Sequence, residues 1–180
     1  MQRTRQRVIA VARELLPEVG VAGLTYSRLA QRASVTRQTL YRHWPTRSTL
    51  LFDVILQGPE VGYPEAGPDV AAVATAWLRS LAAGVSDPAT RAAVLAVTAD
   101  ADQHQESEDA LQRIGDDRRA ALNQLLVPSG RQLGHDDYTL LYAPVMARIL
   151  LERAPVDDAF IDRLVDQWVA GLDTRGKAPR

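Results

Sequence analysis

Between positions 37 and 47 the chain sets Arg37, Gln38, Thr39, Tyr41, Arg42, His43 and Arg47 within one short stretch. Arginine carries a fork of donors that matches the O6 and N7 edge of guanine, and glutamine carries the donor and acceptor that match adenine. Arg37 and Gln38 therefore have the groups needed to read base edges. Tyr41, Arg42, His43 and Arg47, further along or at the next helix start, suit phosphate oxygens, which fix register without reading sequence. Other chemistries are poorly supplied. The absence of cysteine removes disulfide scaffolds, thiolate metal sites and thiol nucleophiles. There is no glycine-rich phosphate loop, no H-E-x-x-H and no G-x-S-x-G. The expectation is a binding protein and not an enzyme, with no catalytic residues and no cofactor. The run Asp100, Asp102, His104, Glu106, Glu108 and Asp109 reads as a solvated helix junction whose acids favour the start of the next helix, not as a metal site. His135-Asp136-Asp137 has the same explanation.

The charge is distributed to match. The whole 180-residue chain has a net charge of -1, but residues 1–56 carry nine arginines against Glu14, Glu18 and Asp53, a net of +6. Residues 57–180 carry 12 basic and 19 acidic groups, a net of -7. One end is built to meet a polyanion and the other is not. Arg37, Arg42 and Arg47 are the arginines expected to matter, while Arg13 and Arg32 are expected to be ordinary surface residues. The apolar stretch Val8-Ile9-Ala10-Val11-Ala12 is cut by Arg13 and Glu14, too short for a signal peptide, and no run approaches a membrane span. A soluble, cytoplasmic protein that does not engage the membrane is expected.

Helices must position these side chains, because the apolar residues recur with helical period throughout and no alternating stretch argues for a strand. Val8, Val11, Ala12, Leu15 and Leu16 make one face of a first helix that stops near Gly20. Two short helices follow. One is capped at Thr25 and carries Leu29 and Ala30; the other is capped at Thr36 and carries Leu40 and Trp44, with Ser34-Val35 as the turn between them. Pro45 ends the second, and a fourth helix runs from about Arg47 to Gln57. Leu40 and Trp44 point to a core, which puts Arg37, Gln38, Tyr41 and Arg42 on the opposite side. Two short helices on a tight turn, braced by longer ones, have the geometry of a helix-turn-helix DNA reader.

From Leu24 to Trp44 the sequence resembles the DNA-binding domain of TetR-type (TetR/AcrR) transcriptional regulators. The resemblance rests on Leu29-Ala30, a small residue and Val35 at the turn, Leu40-Tyr41, His43-Trp44, and basic Arg47 followed by Leu50. It covers roughly residues 5–56. Ser34 stands where the family usually has Gly, and Trp44 and Arg47 replace its usual Phe and Lys. The resemblance implies an all-α fold of about nine helices: an N-terminal three-helix helix-turn-helix domain, then a C-terminal helical bundle. It implies double-stranded DNA contacts from Thr25, Thr36, Tyr41, His43 and Arg47 to phosphates and from Ser27, Arg37, Gln38 and Thr39 to bases, with Tyr26 and Arg42 in the same interface.

Three Gly and three Pro at 58–68 mark a boundary where the charge also changes sign. The expected organisation is a DNA-binding domain at 1–57, this boundary at 58–68, a second domain at 69–173 and a tail at 174–180. Helices are expected at about 69–85, 88–101, 106–126, 136–153 and 157–172. The last two have wide apolar faces, including Leu141, Val145, Ile149, Phe160, Leu164 and Trp168, which either fill an internal core or meet a second copy. The family resemblance implies the second, a homodimer. It also implies a small-molecule effector among the central helices, with Trp77, Leu81, Leu111, Ile114, Arg118, Tyr142 and Met146 as candidate lining. Few charges fall within the central apolar stripes, which suits a largely apolar or aromatic effector. The expected function is thus a repressor that binds a palindromic operator and is released by its effector. The competing readings are an architectural DNA binder without an effector and, more remotely, a helical enzyme with a DNA-binding head.

Overall fold

The computed structural model describes residues 2–57 and 63–175, with side chains through Leu172; they form nine α-helices and no strand. In order these are α1 (Gln2–Gly23), α2 (Tyr26–Arg32), α3 (Arg37–His43), α4 (Arg47–Leu56), α5 (Val70–Ser86), α6 (Pro88–Ala101), α7 (Gln105–Leu125), α8 (His135–Leu150) and α9 (Asp158–Arg175), with a 3₁₀ turn at Val127–Ser129. The all-α fold expected from the sequence is the fold observed. Of the expected boundary, residues 58–62 lie outside the described residues, and residues 63–69 are non-helical. Of the expected tail, residues 176–180 lie outside them, and α9 continues to Arg175.

The start and stop signals act locally. Thr25, Thr36 and Thr46 accept the backbone N–H three residues on, from Arg28, Thr39 and Thr49 respectively, which satisfies donors that a helix start leaves orphaned. Gly20 interrupts α1 with φ 66° and ψ 177°, where the sequence places the stop, and helical backbone resumes to Gly23. Asp87 caps α6 through the Thr90 amide, with Pro88 at the first helical position.

Two compact units result, and each has its own core. The first joins residues 2–57 to 86–114. Val8, Ile9, Ala12, Leu15 and Leu16 of α1 pack with Leu29, Leu40, Trp44, Leu50, Leu51 and Val54, and with Ala89, Ala93 and Val97 of α6. Arg13, expected on the surface, is instead half-buried in this unit. Its guanidinium donates to the Val54 carbonyl (3.0 Å), the Thr90 hydroxyl (3.2 Å) and Asp87 Oδ2 (2.8 Å), and so ties α1 to α4 and α6. Burial alone would raise the Asp87 pKa; the Thr90 amide and hydroxyl and the Arg13 charge outweigh it and hold the carboxyl below its ordinary value. Asp100 accepts from Ser107 and Ser48, each at 2.6 Å, and those hydroxyls, Ser107 first, keep its pKa low; His104 Nδ1 adds a contact at 3.1 Å. Glu106 and Glu108 lie in the first turn of α7 as expected.

The second unit takes residues 63–85 and 115–175. Its core is Val73, Ala74, Trp77, Leu78 and Leu81 of α5, Leu122 of α7, Tyr138, Leu141, Val145 and Ile149 of α8, and Ile161, Val165, Trp168 and Leu172 of α9. This corrects four of the six residues expected at a dimer interface. Leu141, Val145, Ile149 and Trp168 are buried inside the chain itself, because α8 and α9 turn their widest apolar stripes on each other and on α5. The Trp168 indole N–H also donates to the Asp137 carbonyl at 2.8 Å. Phe160 and Leu164, about a quarter-turn away from that stripe, are only half-buried.

Ser34, in the turn between α2 and α3, adopts φ 51°. The left-handed conformation costs a residue with a Cβ roughly 1 kcal/mol relative to glycine. Ser34→Gly is therefore expected to raise the unfolding free energy by up to about 1 kcal/mol, read from the urea midpoint at unchanged slope. A variant no more stable than the parent would show that the turn carries no strain.

Candidate nucleic-acid interface

The turn that sets α2 against α3 is closed by the Val35 amide on the Ala30 carbonyl (3.0 Å) and by Ala33, whose N–H bonds back into α2. α3 then starts at the Thr36 cap and ends at Trp44, whose extended backbone precedes Pro45. Leu40 and Trp44 are buried on its inner side. Arg37, Gln38, Tyr41 and Arg42 are exposed on the other, and Tyr41 keeps 55% of its surface open. Among the described residues Arg37, Gln38 and Arg42 make no ion pair or side-chain hydrogen bond, so their donors are available to a partner. Thr25, Ser27, Thr36 and Arg47 are also exposed, while Thr39 and His43 are half-buried.

Several of these side chains already serve the fold. Thr36 and Thr39 hydroxyls share a hydrogen bond of 2.9 Å. The His43 ring leans on Trp44 at 5.5 Å between centroids. One Arg47 nitrogen donates to the Val21 carbonyl at 3.3 Å, leaving the remainder of the guanidinium open. Tyr26, half-buried, serves the fold as well. Its hydroxyl lies 2.6 Å from the Trp44 carbonyl and 2.7 Å from that of Thr46, and donates to this pair. Burial, reinforced by Tyr41, pushes the phenol up to about 12. Tyr26 is a brace that holds the end of α3 to α2, with its ring against Tyr41 at 4.7 Å.

The sequence reasoning missed a buried triad behind the reading helix. Asp53 on α4, only 6% exposed, takes two hydrogen bonds from Arg5, at 2.9 Å from Nε and 2.6 Å from Nη2, and a third from the Trp44 indole N–H at 2.6 Å. The pairing raises the Arg5 pKa, chiefly through the hydrogen bond to Asp53. The signal was present: Asp53 is the only acid between residues 19 and 57 and falls on the same stripe as Leu50 and Val54. A carboxylate on a core-facing stripe requires donors.

The candidate effector residues do not form a single group. Trp77 and Leu81 lie in the core of the second unit, with Tyr142 and Met146 packed against it, and Arg118 is half-buried in that unit. Leu111 and Ile114 pack against the core of the first unit.

The comparisons with known proteins agree with this geometry. Residues 8–54 match the family of bacterial regulatory proteins, tetR family. The HTH-type transcriptional regulator YdeS of Bacillus subtilis is 24% identical over 94% of this chain and 89% of its own length. The crystal structure of the TetR family transcription regulator SCO0332 superposes with a TM-score of 0.69 at 25% identity, covering 93% of this chain and 97% of that one. The multidrug binding protein EbrR, solved with imidazole, shares the fold with a TM-score of 0.65 at 18% identity, over 93% of this chain and 90% of its own. An exposed, cationic second helix on a tight turn makes the segment that matches this family a helix-turn-helix domain of the tetR-family kind, within a fold that the chain shares along its length with the TetR family transcription regulator SCO0332.

Proposed function

We propose that this regulator is a repressor that binds a palindromic operator as a homodimer and is released by a small effector. The observation that carries the reading is the outer face of α3, where Arg37, Gln38 and Arg42 are exposed and unengaged. In this reading Arg37, Gln38, Thr39 and Ser27 meet base edges in the major groove, and Thr25, Thr36, Tyr41, Arg42, His43 and Arg47 meet phosphates. Residues 1–57 supply the reading head, and residues 69–173 supply dimerisation and effector binding.

A dimer is supported by apolar surface that the chain leaves uncovered on its last two helices. Leu140 and Leu151 are 52% and 79% exposed, and with Pro144 and Ala147 they line one stripe of α8. Phe160 and Leu164 extend apolar surface on α9. A two-fold axis through this face pairs each stripe with its own copy and presents two reading heads, matching the symmetry of a palindrome with half-sites one helical turn apart. Release requires the effector to bind the DNA-incompetent arrangement more tightly, since equal affinity for both shifts nothing. Trp77, Leu81, Arg118, Tyr142 and Met146 are the residues proposed to line its site. EbrR, with the same fold, is a multidrug binding protein.

The test is operator binding across a salt series. Each neutralised phosphate contributes about -0.9 to the slope of log affinity against log salt, so several contacts per head give a steep fall. A flat response would remove the operator-binding repressor from consideration.

A further inference from the structure

The first turn of α4 is tied to three other helices, and one of the ties ends on a carboxylate. Asp100, at the end of α6, accepts through Oδ2 from the Ser48 hydroxyl on α4 and from the Ser107 hydroxyl on α7, each at 2.6 Å, while its Oδ1 lies 3.1 Å from His104 Nδ1. Ser107 is 1% exposed, so the carboxylate is fixed from the α7 side and Ser48 meets an acceptor already in place. Ser48 directly follows Arg47, the first residue of α4. The other ties converge on the same turn. Thr46 and Thr49 form a capping box, the Tyr26 hydroxyl of α2 donates to the Thr46 carbonyl at 2.7 Å, and Arg47 donates to the Val21 carbonyl of α1 at 3.3 Å. All of these residues belong to the first unit. At the far end of α4, Arg13 donates to the Val54 carbonyl at 3.0 Å and to Asp87, the cap of α6, at 2.8 Å. Thus α6 holds α4 at both ends, through Ser48 at the start and through Arg13 at the finish. From Arg47 to Val54 a helix rises about 10 Å. A tilt of about 10° about the Val54 end would carry Arg47 some ~2 Å, more than the spread of distances over which a hydrogen bond survives.

We infer that Ser48 and Asp100 are positioning residues for DNA binding: the carboxylate at the end of α6 holds the first turn of α4 so that Arg47 meets its phosphate. The inference rests on the reading above in which Arg47 is a phosphate contact, and it adds what aims that contact. Arg47 is exposed and long, so the fold can fix little of it beyond the backbone from which it springs. The sign of the effect distinguishes this role from a simple charge. Asp100 and Arg47 line the same open groove, with Ala22 and Gln103, and an anion there repels phosphate by charge alone. As a positioning group it acts the other way, and its loss weakens binding.

Fluorescence anisotropy of a labelled random-sequence DNA duplex, titrated with the full chain over a salt series, tests this, because phosphate contacts do not depend on sequence. Arg47→Ala is expected to weaken binding about eightfold per head at about 0.1 M salt, the contribution of one neutralised phosphate, and to lower the salt slope by about one. Ser48→Ala is expected to weaken binding about threefold and to lower the slope by about 0.5. Ser48→Thr keeps the hydroxyl and restores both. In the Arg47→Ala background Ser48→Ala adds nothing, since its effect passes through the guanidinium already removed. Asp100→Ala is expected to weaken binding as well; if it unfolds the chain by stranding Ser107, the Ser48 variants carry the test. A merely structural hydroxyl would lower stability and leave the salt slope of the folded protein where it was. Ser48→Ala with affinity and slope unchanged, a loss that adds in full to that of Arg47→Ala, or a folded Asp100→Ala that binds as tightly as the parent or tighter would each overturn the inference. The two readings fail separately. Arg47→Ala without loss removes the phosphate contact and the positioning role with it, whereas a loss from Arg47→Ala beside an unaffected Ser48→Ala leaves the contact standing and removes the positioning role alone.

Discussion

Asp53→Ala is expected to lower the unfolding free energy by about 2–3 kcal/mol, the largest single-residue loss in the first unit outside its apolar core. The magnitude follows from what is stranded. Three hydrogen bonds end on this carboxylate, two from Arg5 and one from the Trp44 indole. Removing one member of a buried ion pair commonly costs about 3–5 kcal/mol, because its partner is left charged without solvent. Arg5 keeps 48% of its side chain exposed, so it recovers water and moves the loss to the lower end. Trp44 has no such escape, since it is 2% exposed. Asp53→Asn retains an acceptor for Trp44 but weakens the pairing with Arg5, and is expected to lose about half as much. Chemical denaturation followed by tryptophan fluorescence reads both variants. If Asp53→Ala unfolds within about 0.5 kcal/mol of the parent, the triad is incidental. DNA affinity should fall with stability, because Trp44 ends the reading helix and the loop that follows hangs on its carbonyl through Tyr26.

The second large effect is on recognition, not folding. Arg37→Ala removes an exposed side chain that makes no hydrogen bond to the rest of the protein among the described residues, so stability should remain within about 0.5 kcal/mol. Discrimination between the operator and a scrambled duplex should fall by about 1–3 kcal/mol, roughly five- to 150-fold, the range for a bidentate arginine to guanine. Arg47→Ala should weaken both duplexes alike, as a phosphate contact does, and lower the salt slope by about one. Competition binding against the two duplexes decides it. If Arg37→Ala weakens both equally, Arg37 is a phosphate contact and base reading passes to Gln38 and Ser27.

The sequence and the structure meet most closely where a signal is local. Cap residues, Pro45, Gly20 and the apolar spacing act over three to five residues, so helix positions, including the α3 reading face, were legible. What was not legible depends on residues distant in the chain. Arg13 reads as a surface arginine until Asp87 and Thr90 arrive from more than 70 positions away. Arg5 and Asp53 are 48 positions apart, and only the anomaly of an acid on an apolar stripe pointed to them. Tyr26 sits in a reading motif and has a plausible hydroxyl, yet two carbonyls from the loop after α3 claim it. The apolar stripes of α8 and α9 were visible, but an amphipathic face does not name its partner. Here Leu141, Val145, Ile149 and Trp168 found theirs within the chain.

The inclusion of α6 in the first unit sets an order for synthesis. Val8, Ala12 and Leu51 share a core with Ala89, Ala93 and Val97, and Arg13 completes its hydrogen bonds only on Asp87 and Thr90. A nascent chain that has released only residues 1–57 therefore holds an unfinished apolar face and an unpaired guanidinium. The head closes when α6 leaves the ribosome, after α5 has already emerged. A fragment cut at the end of α4 would stop the chain at that stage, with the reading helix made and its support missing.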